Sequence, residues 1–140
     1  MKKTICLLLC VLIFAALPVS ALAAQAPEPA LPQSLYTTQP TLVFSVNKDG
    51  KANIDLMCYG KSGVKKITTK TCIEKKSGTK WVKVDVGTSD NYLRYTVNSS
   101  ILIKSYTKTL PSKGTYRCTA TFTLYADKNE TITVSKTATY

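Results

Sequence analysis

Cysteine thiols, eight carboxylates and nineteen basic side chains carry whatever chemistry this 140-residue chain can do, because histidine is absent. Without imidazole there is no ordinary general base, no commonest metal ligand and no Ser–His or Cys–His nucleophile pair. No Cys-x-x-Cys spacing exists for zinc or thiol exchange. Asp55, Glu74 and Asp85 fall on outward strand positions and could approach as paired carboxylates. Outward acids among many lysines are ordinarily salt-bridge partners instead. Asn47-Lys48-Asp49-Gly50 has the outline of a calcium loop, but a central lysine and too few acids leave turn formation as its explanation. The chain is therefore read as non-enzymatic, with no catalytic, metal or cofactor site.

Positive charge is the strongest signal outside the core. Lys61, Lys65, Lys66, Lys70, Lys75, Lys76, Lys80 and Lys83 fall within 23 residues in which Glu74 is the only acid, a local net of +7. A surface built from Lys65, Lys66, Lys70, Lys75, Lys76, Lys80 and Lys83 would attract polyanions in a salt-dependent way. Its partners would be an anionic cell-wall polymer or an anionic lipid surface. The same lysines would also blunt strand edges and keep the domain soluble. Tyr59, Trp81 and Tyr125 have outward parity, and could stack on sugar rings or a protein partner or cover one another. No aromatic–basic motif of a nucleic-acid module is present, so no specific nucleic-acid partner is expected.

The N-terminus sets the compartment. Met1-Lys2-Lys3 is basic, Ile5 to Leu17 is an unbroken apolar run of 13 residues, and Ala21-Leu22-Ala23 supplies small residues for cleavage. The run is short of the ~20 residues that span a bilayer. Residues 1–23 are read as a signal peptide, 24–40 as a Pro/Ala-rich linker and 41–140 as one domain. The mature chain is then secreted or held at the cell surface, has no transmembrane segment, and carries a net +9 on about 116 residues. Cys6 and Cys10 leave with the signal, and export places Cys58, Cys72 and Cys118 where disulfides persist.

From Thr41 onward apolar and polar residues alternate with period two, which predicts an all-β domain of seven or eight short antiparallel strands in a sandwich. Leu42, Phe44 and Val46 share a parity, as do Ile54, Leu56 and Cys58. Val82, Val84 and Val86 are expected to face inward. Tyr116, Cys118, Ala120, Phe122 and Leu124 line one face of the strongest strand. Cys58 and Cys118 thus point into the core and form the expected disulfide, closing a loop worth about 4 kcal/mol by chain entropy. Cys72 is in phase with Lys70 and Glu74 and is expected outside, as a free or intermolecular thiol. A Cys58–Cys72 bond is the alternative, and needs a bulge to turn Cys72 inward.

These residues resemble an immunoglobulin-like domain. Gly114-Thr115-Tyr116-Arg117-Cys118 is similar to that family's F-strand motif, in which a tyrosine two residues before the cysteine forms a corner. Cys58 fits the B-strand position, and Ser99 to Ile103 followed by Leu110 looks like the E–F stretch. The resemblance implies an inter-sheet Cys58–Cys118 bond and a structural corner at Tyr116 and Gly114. It leaves function open. Binding of an anionic envelope polymer or surface partner is the favoured expectation. An assembly protein linked through Cys72, or a secreted inhibitor, is the alternative.

Overall fold

The computed structural model describes residues 34–140. The expected signal peptide (residues 1–23) and the first ten residues of the expected linker lie outside the described residues. Eight strands follow in order: β1 (Thr41–Val46), β2 (Lys51–Tyr59), β3 (Lys66–Ser77), β4 (Lys80–Lys83), β5 (Leu93–Val97), β6 (Ile101–Thr109), β7 (Thr115–Tyr125) and β8 (Glu130–Thr139). They form two antiparallel sheets. The smaller has the order β1-β2-β6; the larger has β4-β3-β7-β8, with β5 pairing β3 beside β4.

Alternation explains the layering. On β7 every second residue from Tyr116 to Leu124 is buried, and the residues between are half-exposed. Leu42, Phe44, Ile54, Leu56 and Leu102 from the smaller sheet meet Ile67, Ile73, Tyr116, Phe122 and Leu124 from the larger. Burying each large apolar side chain contributes on the order of 1.5–3 kcal/mol. The β1–β2 turn is fixed by Asn47, whose side-chain oxygen accepts from the amides of Asp49 (3.0 Å) and Lys51 (2.8 Å). Gly50 closes it at φ +76°, and a Cβ there would meet the Tyr140 ring at 2.7 Å.

Several expectations are corrected at this level. Ser34–Pro40 is tied to the sandwich and not left as linker: Thr37 is buried and bridges Gly60, and the Glu130 carboxylate accepts from the amides of Leu35 and Tyr36 and from the Ser34 hydroxyl. The fourth strand stops at Lys83, and Val82 lies 54% exposed beyond the core, while Val84 and Val86 are buried. Thr69 and Thr71 occupy inner positions of β3 and are buried with no partner for either hydroxyl among the described residues.

The expected disulfide is also absent: Cys58, Cys72 and Cys118 are all free and buried. Cys58 and Cys118 do face the core, but at different heights. The Cys58 sulfur lies 3.7 Å from the Thr37 hydroxyl, in the segment that Glu130 caps. Glu130 stands opposite Leu124, six positions along β7 from Cys118. That is about 20 Å of strand, and a disulfide needs Cα atoms within about 7 Å.

Candidate functional site

Strand register sorts the lysines. On the outer face of the larger sheet, β3 presents Lys66, Thr68, Lys70, Cys72, Glu74 and Lys76. Lys70 pairs with Arg94 on β5, and Glu74 stands between Lys83 on β4 and Arg117 on β7. Lys76 faces Trp81. Six cations therefore share one sheet face with one strand carboxylate. Arg117 holds that carboxylate, donating from Nε (3.0 Å) and Nη2 (2.7 Å) to Glu74 Oε2. Asp90, in the preceding loop, pairs with Arg94, whose guanidinium holds its carboxyl down at about 2.

The cations lie over the rings of the same face. Lys66 Nζ is 3.8 Å from the Tyr125 centroid, and the Arg117 guanidinium is 4.4 Å from that of Trp81. Lys70 and Lys83 each bring Nζ to 4.0 Å from the centroid of Tyr92, with Arg94 at 5.6 Å. Contact with the Tyr92 side chain raises the Lys83 ammonium above its usual range. Ring faces covered in this way offer a ligand charge and not a bare stacking platform. The other half of the face is a field of hydroxyls. Thr119–Ser135 (2.9 Å), Thr121–Thr133 (3.2 Å) and Thr123–Thr131 (3.4 Å) hydrogen-bond across β7 and β8.

Not every expected lysine joins this surface. Lys75 points to the opposite side of β3, donating to the Ser112 hydroxyl (2.6 Å) and lying 5.9 Å from the Tyr116 centroid. A Cβ on Gly114, at φ +148°, would meet its Cε at 2.8 Å, so Gly114 makes room for that lysine. The Tyr116 hydroxyl donates to the Ser112 carbonyl. Lys65 precedes β3 and Lys80 opens β4, both exposed at the ends of the sheet. Arg94, Arg117 and Tyr92 also belong to this face, and the spacing of the lysines did not point to them. The alternation of Leu93 with Arg94 was the available signal, hidden by uncertain strand limits.

Cys72 requires a correction. It keeps the outward register, opposite Thr119, yet is only 7% exposed. Burial raises its thiol above the usual range, with Glu74 adding to the rise and Lys83, Arg117 and Lys70 opposing it. Continuing the β3–β5 register by one position sets Tyr92 beside it. Burial also raises Cys58, against the Thr37 hydrogen bond, and pushes Cys118 up to about 12. None of the three is a thiolate nucleophile near neutral pH.

Elsewhere the chemistry is sparse. Among the described residues no three Cys, Asp or Glu side chains gather as metal ligands, and no helix is long and apolar enough to cross a membrane. An open depression between the β1–β2 turn and the C-terminus is lined by Val46, Asn47, Lys48, Lys113, Thr139 and Tyr140, with no carboxylate or thiol side chain among them. The chain matches no model of a known protein family and no curated protein.

Proposed function

We propose that this protein is an exported, non-enzymatic binding domain that holds anionic envelope polymers or anionic lipid surfaces on the outer face of its larger sheet. The observation that carries this reading is the gathering of Lys66, Lys70, Lys76, Lys83, Arg94 and Arg117 on one face. Its acids are already engaged: Glu74 by Arg117 and Asp90 by Arg94. Lys70 and Lys83 share a single ring, and the salt bridges of Glu74 and Asp90 among the described residues go to arginines, so an anion bridging the two lysines would relieve their repulsion. Export rests on the basic, apolar and small-residue succession of Met1 to Ala23. Secretion or display at the cell surface follows from it.

The sandwich is proposed to be of the immunoglobulin-like type. Support comes from the sheet orders β1-β2-β6 and β4-β3-β7-β8 and from the Tyr116 hydroxyl reaching back to Ser112. The alternative of assembly through a Cys72 disulfide loses support from the enclosure of that sulfur. For an inhibitor role the support is the loop from Gly87 to Asn91, whose residues 87–90 are exposed.

The test is retention of the full exported chain on immobilised polyphosphate and on phosphatidylglycerol vesicles across a salt series. Retention is expected to fall steeply as salt rises. The double substitution Lys70→Glu with Lys83→Glu should reduce it by at least about tenfold at low salt. Retention that ignores both salt and charge reversal would end the proposal.

A further inference from the structure

We infer that the opposite side of the sandwich, the outer face of the smaller sheet at its Tyr59 end, docks a second copy of this chain. Met57 stands directly opposite Ile103 and Tyr59 opposite Ile101, while Val43 lies on the neighbouring strand beside Asp55. Ile103 is 61% exposed, Ile101 50%, Tyr59 47% and Val43 44%. Met57, Ile103, Tyr59 and Ile101 thus form an apolar cluster on two adjacent strands, with Val43 at its margin beyond Asp55. A solvated face of an antiparallel sheet normally alternates to polar residues, and the larger sheet of this molecule does so with threonines and lysines. An apolar cluster of this kind, left open among the described residues, marks an association surface.

Charge selects the occupant. Among the strand positions of this face only Lys51 and Asp55 are charged, and Asp55 accepts from the Ser105 hydroxyl at 2.6 Å. Lys104 and Lys108 on β6 turn away, one over the Tyr95 and Tyr106 rings and the other to the Val86 carbonyl. The face is neutral on a chain of formal net charge +11. Two copies meeting through the basic face would repel. Meeting here they bring no excess charge together, and their basic faces point apart. A two-fold axis through Met57 would set Asp55 opposite Tyr59 of the second copy, carboxylate against hydroxyl, with aliphatic side chains packed around them. Such an interface is self-complementary, as a closed dimer requires. An anionic bilayer fits less well, because the cations that would attract it lie on the other side of the sandwich.

The inference stands independently of the polyanion reading. If both hold, the dimer presents two basic faces outward and can bridge two anionic strands, which raises avidity without new contacts.

Sedimentation velocity on the full exported chain from about 1 µM to about 1 mM covers the range in which a modest apolar interface forms. A monomer–dimer equilibrium is expected that added salt leaves intact or strengthens. That is the opposite of the salt response expected for polyanion retention. Ile103→Lys should weaken the dimer at least about tenfold, and circular dichroism should show the fold unchanged. Lys70→Glu with Lys83→Glu should leave dimerisation as it was. A wild-type chain that stays monomeric to the highest concentration overturns the inference. So does a dimer indifferent to both Ile103→Lys and Tyr59→Lys, or a monomer that instead floats with neutral phosphatidylcholine vesicles.

Discussion

On the outer face of the larger sheet, aromatic rings lie under cations, acids are paired with arginines, and threonine hydroxyls join across β7 and β8. On the outer face of the smaller sheet, Ile101, Ile103, Tyr59 and Val43 stand in the open beside a single paired acid. Both faces come from the same period-two alternation around the same core. The difference shows that alternation assigns a residue to a face, while cross-strand partners decide whether that face is finished. The first is organised to meet charge in water. The second is organised to leave water.

The largest effect that sharpens this contrast concerns the thiol beneath the basic face. Cys72 is outward in register but enclosed, so the native protein should resist alkylation at pH 8. Tyr92→Ala should uncover the sulfur and speed its modification by about tenfold or more, measured by mass spectrometry on the native chain. Equally slow modification in the variant would mean that the enclosure has another source. In denaturant without reductant Cys58, Cys72 and Cys118 should all react. A count of one would restore the disulfide. The direction of the pH response follows from the raised thiols: Cys118, pushed up to about 12, should be the last to react as pH rises.

Next comes Glu74→Gln, which leaves the Arg117 guanidinium over Trp81 without its carboxylate. Stability should fall by about 1–2 kcal/mol in urea unfolding, while polyanion retention should rise because the face gains positive charge. Movement of both in the same direction would break the link between that ion pair and the binding surface. Thr71→Val is expected to act the other way on stability. It replaces a buried hydroxyl that has no partner among the described residues by a methyl of the same shape, a gain of about 1 kcal/mol. The smallest effect belongs to the bare face: Ile103→Thr should change monomer stability by less than about 0.5 kcal/mol, because the side chain contributes to association and not to the core.

The pattern of successes in the sequence follows from what alternation encodes. From Tyr116 to Leu124 the period is unbroken, and both the strand and its buried side were legible. Lys66, Lys70 and Glu74 were placed on the outer face by the same rule. Parity carries no height, so Cys58 and Cys118 looked like partners when only their direction was shared. It carries no neighbours either, so the cover over Cys72 and the turning of Lys75 toward Ser112 depend on β4, β5 and the loop before β7. The run Ile101-Leu102-Ile103 is apolar throughout, which hides the fact that only Leu102 faces inward. Leu35 and Tyr36 looked like linker because their anchor, Glu130, lies 94 or more positions away.

The most direct test of the contrast between the two faces is an amide chemical-shift titration of the isotope-labelled chain with polyphosphate at low salt. Perturbations are expected at Lys66, Lys70, Lys83, Arg94 and Arg117, fading as salt is added, with Met57, Tyr59, Ile101 and Ile103 unmoved. Shifts centred on the smaller sheet, or spread evenly over both, would contradict it.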